Sequence, residues 1–113
     1  MTTVVIFKSH DTYKGFTCRG HAGYGVSGSD IVCASISILV INTINAVEEL
    51  AKEKITVESN EKEGYIECHF PEKINDKAKL LMDCMVMGLK GIEKNYGGEN
   101  YFKLIIKNGG VKS

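Results

Sequence analysis

Hydrophobic positions along the 113-residue chain change period several times, and the changes outline seven elements. Thr3 to Lys8 (Thr-Val-Val-Ile-Phe-Lys) is β-branched and aromatic and reads as a strand. His10-Asp11-Thr12 is turn material, with His10 a solvent-facing loop residue. Tyr13 to Gly20 reads as a second strand, antiparallel to the first because the connection is short. Phe16 and Cys18 share a face of it, which makes Cys18 a small core residue. A long helix is expected from Ser29 or Asp30, either of which is a good N-cap, to about Lys52. Ile31, Val32, Ile36, Ile38, Leu39, Val40, Ile41 and Ile44 do not fit one stripe, so this helix needs cover on more than one side. One face can pack on a sheet and another on a second subunit, and a homodimer is expected.

Ile55 to Ser59 and Tyr65 to Phe70 read as a hairpin around Asn60-Glu61-Lys62-Glu63-Gly64. Alternation points Ile66, Cys68 and Phe70 inward, and Tyr65, Glu67 and His69 outward to solvent. After Pro71, Asn75 can cap a second helix running to about Tyr96, with Gly97-Gly98 as its stop. Ala78, Leu81, Met82, Met85, Leu89 and Ile92 recur at helical spacing, so the methionines read as core and Cys84 as packing or surface. Tyr101 to Lys107 is a last strand with Phe102, Leu104 and Ile106 on one face, and the tail from Asn108 is expected to fray. The order β-β-α-β-β-α-β predicts an α+β fold: one domain over 1–113, with a mixed or antiparallel sheet of about five strands and two helices packed on it.

Composition narrows the partners. Lysine plus arginine equals aspartate plus glutamate, at 14 each, and Arg19 is the only arginine. A phosphate-backbone binder concentrates basic residues, so no direct nucleic-acid partner is expected. The longest apolar run, about Ile31 to Ile44, is short for a bilayer and broken by serines, and no secretory segment opens the sequence. The expectation is a cytoplasmic protein with no membrane partner. Cys18, Cys33, Cys68 and Cys84 are scattered without a C-x-x-C pair, which predicts reduced thiols and no metal site. No cofactor is expected.

Candidate chemistry concentrates between Gly20 and Ser37. His21 leaves the second strand, a loop carries Gly23, Tyr24, Gly25 and Gly28, and Cys33 follows in the expected first turn of the helix. The positive end of a helix dipole favours thiolate, and a histidine on a flexible loop can fold back onto it. Those are the parts of a Cys-His nucleophile. Asp30 can cap the helix, orient the His21 imidazole, or both, although its charge alone works against a thiolate at Cys33. Ser37, one turn beyond Cys33, can hydrogen-bond the thiol or the Cys33 carbonyl. Tyr24 can cover a bound substrate or be an exposed structural residue. Gly23 to Gly28 also matches the G-x-G-x-x-G of dinucleotide sites. However, no acidic residue ends a following parallel strand, and Asp30 would oppose a pyrophosphate at the helix start.

Gly20-His21-Ala22, then Asp30-Ile31-Val32-Cys33-Ala34, then Ser37 resembles the signature of the bacterial ribosomal-processing cysteine proteases in residue and spacing. The length and element order of all 113 residues are also similar. The resemblance implies a homodimeric endopeptidase without a cofactor. Such an enzyme removes a short N-terminal extension from a large-subunit ribosomal protein, cutting between an aromatic and a small residue. It implies His21 and Cys33 as the catalytic pair and Asp30 and Ser37 as their support, with Gly23, Tyr24, Gly25 and Gly28 in the substrate loop. Two other classes use the same residues differently. A redox sensor needs a resolving thiol near Cys33, for which Cys18 or Cys68 could serve, and a non-enzymatic ribosome-associated module needs no contact between His21 and Cys33.

Overall fold

Seven elements follow one another in the predicted order: β1 (Thr2–Ser9), β2 (Thr12–Arg19), α1 (Ser27–Glu49), β3 (Thr56–Asn60), β4 (Tyr65–His69), α2 (Asp76–Tyr96) and β5 (Phe102–Asn108). The structure, a computed structural model, describes residues 1–20, 27–96 and 101–109, with side chains throughout except at 27–30. The five strands form one sheet in the order β3-β4-β2-β1-β5. Three of its pairings are antiparallel and β1–β5 is parallel, so the sheet is mixed. His10 takes a φ of 58° in the tight β1–β2 turn and is exposed, as a loop residue should be.

The alternation read from the sequence sets the core. Val4, Ile6, Phe16, Cys18, Ile66 and Cys68 point from the sheet into one buried cluster. Val32, Ile36, Val40 and Val47 meet them from α1, and Ala78, Met82, Met85 and Leu89 from α2. Each buried Val, Ile, Leu, Phe or Met among them contributes about 1.5–3 kcal/mol relative to exposure, and the unbranched methionines of α2 serve as packing. Cys84 lies on the exposed side of α2. Phe102, Leu104 and Ile106 share a face as expected, but burial fades along β5 and Ile106 is exposed.

Several boundaries and exposures differ from the sequence reading. α1 begins at Ser27, ahead of both expected caps, and ends at Glu49 rather than Lys52. Leu50 and Ala51 both donate to the Ala46 carbonyl, and Lys52 turns out of the helix with a φ of 59°. Asn75 caps α2 as predicted: its Oδ1 accepts from the Ala78 N–H at 2.9 Å, while its Nδ2 donates to the Ala51 carbonyl at 2.8 Å. Asn108 is not frayed; it pairs with Lys8 in the β1–β5 ladder. Gly97-Gly98 lies outside the described residues. On the outer sheet face Tyr65 and His69 are half-buried and Glu67 is buried, where solvent exposure was expected. β4 has a neighbour on each side, and cross-strand side chains shield one another there.

The stretch Ile31–Glu49 is long and apolar enough by length and composition to cross a membrane, contrary to the reading of a short, interrupted run. In this fold Val32, Ile36, Val40 and Val47 are instead spent on the core. A separate ridge is left outside: Ile31 and Ile38 are 67% and 70% exposed, with Ala34 and Ile41 also exposed beside them.

Candidate active site

Cys33 is the seventh residue of α1, hence in its second turn rather than the expected first. The charge of a helix terminus falls off within one turn, so the dipole acts on this thiol less than the sequence suggested. The side chain is 3% exposed, and its Sγ–H donates to the Gly20 carbonyl at 3.8 Å. Gly20 is fixed from three other directions. Its N–H donates to the Gly64 carbonyl at 2.7 Å, and its carbonyl also accepts from Thr2 Oγ1 at 3.0 Å. Its φ is +85°, and a Cβ would stand 2.6 Å from the Met1 carbonyl oxygen. Only glycine tolerates both the conformation and the approach. Beside it, the Arg19 guanidinium stacks on the Tyr65 ring at 4.4 Å. The end of β2, the start of β1 and the β3–β4 turn are thus locked together where Cys33 arrives.

The Gly20 carbonyl as thiol partner was not anticipated. Its only trace in the sequence was a glycine ending the strand directly before His21. His21, Gly23, Tyr24 and Gly25 lie outside the described residues. Gly28 and Asp30 fall within the first turn of α1, so Gly28 is not a loop residue and Asp30 is not the N-cap; the Asp30 side chain is outside the described set. Ser37 makes neither of its two expected bonds. Its hydroxyl oxygen is buried without a hydrogen-bond partner among the described residues.

Cys18 and Cys68 are buried, as Cys33 is. Burial, reinforced by the neighbouring Cys33, pushes the Cys18 thiol up to about 12; burial and Glu48 push Cys68 up to about 12. Both are therefore protonated at neutral pH, and a protonated thiol is a poor nucleophile. Among the described residues no three His, Cys, Asp or Glu side chains cluster in a way that could hold a metal ion.

Cys33 thus sits in the second turn of α1 with its thiol against the carbonyl of the residue that precedes His21 in the sequence. The model of the family described as cysteine protease Prp matches residues 1–101. The chain belongs to the Prp family of cysteine proteases. It is similar to the ribosomal processing cysteine protease Prp of Bacillus subtilis (strain 168), 36% identical over 103 residues, covering 85% of this chain and 90% of that one. Its fold is similar to the crystal structure of the essential ribosomal processing protease Prp from S. aureus in complex with a substrate peptide. There the TM-score is 0.86 at 28% identity, over 95% of this chain and 100% of that chain. The same S. aureus protease with a covalently linked product peptide matches at a TM-score of 0.82 and 29% identity, over 95% and 100%. Membership of the Prp family makes this chain a cysteine protease, and so a hydrolase.

Proposed function

We propose that the chain is an endopeptidase with a His21–Cys33 dyad that removes the N-terminal extension of a large-subunit ribosomal protein, cutting between an aromatic and a small residue. The observation that supports this reading is the Cys33 contact to the Gly20 carbonyl. His21 is the next residue in the sequence and supplies the imidazole that acts on this thiol. In this mechanism His21 accepts the Cys33 proton and the thiolate attacks the scissile carbonyl. His21 then protonates the leaving amine, and water hydrolyses the acyl-enzyme. Backbone N–H groups at the start of α1 or in the glycine loop serve as donors to the oxyanion. Asp30 supports the imidazole, and Ser37, whose buried hydroxyl oxygen makes no hydrogen bond among the described residues, lies one turn beyond the thiol. Gly23, Tyr24 and Gly25 belong to the segment that closes over bound peptide.

The active form is a homodimer joined through the exposed ridge of Ile31, Ala34, Ile38 and Ile41, whose spacing of three and four residues suits a helix-to-helix seam. The redox-sensing alternative has one specific observation, the closeness of Cys18 to Cys33. It is weakened by the protonated state of Cys18, since thiol exchange needs a thiolate.

The deciding experiment is incubation with the unprocessed ribosomal protein, with Cys33→Ala and His21→Ala in parallel, reading new N-termini by mass spectrometry. A single new terminus after an aromatic residue, lost in both variants, is expected. Activity retained in folded Cys33→Ala protein would overturn the reading.

A further inference from the structure

A lysine occupies the face of β1 that builds the core. Val4 and Ile6 point from that face into the buried cluster, and Lys8 is the next residue in their alternation. Its cross-strand partner is Tyr13, and that pairing depends on an irregularity. Counting back by twos from Cys18 and Phe16 would put Lys14 on the core face and Tyr13 outside. The register instead shifts between Phe7 and Lys8: Phe7 faces Gly15 and Lys8 faces Tyr13, with Lys14 as the extra residue of a bulge. Tyr13 is thereby returned to the core, 3% exposed, and the Lys8 ammonium stands 4.9 Å from its ring centre.

These two residues line a cavity of about 410 Å³ beside α2. Asp83, Val86, Met87 and Lys90 line it from the helix, at the spacing of one helix face. Ile106, the β5 partner of Ile6, supplies a further apolar wall. The Tyr13 hydroxyl donates to Asp83 Oδ1 at 2.5 Å, and burial together with Asp83 raises the phenol, so it stays a donor at neutral pH. Among the described residues no hydrogen bond or ion pair occupies the Lys8 or Lys90 ammonium. Two ammoniums against one carboxylate leave the cavity with a single positive charge beside apolar walls.

We propose that this cavity binds a carboxylate carried on an apolar or aromatic group, at a site separate from the peptidase centre. Tyr13 stands about 20 Å from the Gly20 end of β2, so the two sites lie at opposite ends of the sheet. The carboxylate sits between Lys8 and Lys90, and the apolar group rests on Val86, Met87 and Ile106. A monoanion matches the single positive charge, whereas a phosphate dianion would turn excess negative charge towards Asp83. Phosphate recognition also favours the arginine fork, and the one arginine of this chain, Arg19, is stacked on Tyr65 at the other end of the sheet. The inference goes beyond the peptidase reading and does not depend on it, since neither lysine belongs to that machinery.

The test titrates isotope-labelled wild-type protein with phenylpropanoate and follows the amide chemical shifts, with the neutral phenylpropanamide and with phenyl phosphate in parallel. Saturable shifts are expected at the β1–β2 turn and from Asp83 to Lys90, with the amide and the phosphate each binding more weakly than the carboxylate. Lys8→Gln/Lys90→Gln is expected to weaken the carboxylate about tenfold and to leave peptide cleavage unchanged. A peptide ending in a free Phe carboxylate distinguishes the sources: tighter binding than phenylpropanoate identifies a peptide end, and weaker binding a free organic acid. Equal affinity for carboxylate and amide would overturn the proposal without recourse to any variant. So would tighter binding of the phosphate, shifts confined to Gly20 and Cys33, the absence of saturable shifts, or a folded double variant that binds as tightly as wild type. Failure of the wild type to cleave any peptide would sink the peptidase reading and leave this site standing.

Discussion

The thiol of Cys33 rests against the carbonyl of Gly20, the last described residue before His21. That one contact joins the second turn of α1 to the end of β2, and Met1, Thr2 and Gly64 hold Gly20 in place.

Gly20→Ala should therefore damage the site through geometry alone. The added Cβ would meet the Met1 carbonyl oxygen at 2.6 Å on a backbone with φ +85°. Relief requires the strand end to move, and misplacement by about 1 Å can cost about 100-fold in rate. Peptide cleavage is expected to fall by that order while far-ultraviolet circular dichroism is retained. Wild-type activity in Gly20→Ala would show that this strand end does not position the pair.

Ile38→Lys should separate the proposed dimer. Ile38 is 70% exposed at the centre of the α1 ridge, so the lysine costs the isolated fold little but places like charges across a two-fold seam. Sedimentation equilibrium is expected to shift from dimer to monomer. A dimer that survives Ile38→Lys would place the seam elsewhere.

Two α2 substitutions should change stability in opposite directions. Asn75→Ala removes the cap to Ala78 and the bond to the Ala51 carbonyl, and should cost about 1–3 kcal/mol. Gly91 has nothing within 4 Å of where a Cβ would stand, so Gly91→Ala should add about 0.5–1 kcal/mol. Urea midpoints of the two variants on either side of wild type are the expected result.

Stability should decline on the alkaline side. Cys18 and Cys68 are each raised from 9.0 to about 12, and Tyr13 is raised by burial and by its hydrogen bond to Asp83. Below pH 9 these groups are protonated in both folded and unfolded chains and have no effect. Above it the unfolded chain releases protons that the folded chain keeps, and each thiol then removes up to about 1.4 kcal/mol per pH unit. The urea midpoint is expected to fall from pH 9 towards pH 11, less steeply in Cys18→Ala/Cys68→Ala. Equal slopes in the two proteins would rule the thiols out as the cause.

Local pattern was enough for the elements and most of the core. Period-two alternation placed Phe16, Cys18, Ile66 and Cys68 inward, and helical spacing placed Met82, Met85 and Leu89, because burial on one face leaves a periodic trace in sequence. The Gly-His-Ala and Asp-Ile-Val-Cys-Ala steps likewise carried the family, since motif chemistry is local. Tertiary structure decided what depends on neighbours distant in the chain. The start of α1 at Ser27 moved Cys33 into the second turn, and the lock on Gly20 needs Met1, Thr2 and Gly64, which lie 18 to 44 residues away. The cover over Glu67 and His69 comes from strands on either side of β4. The division of α1 into a core side and an exposed ridge has the same origin. An all-round apolar helix shows only that it needs cover, and where each cover comes from is set by the sheet it packs on.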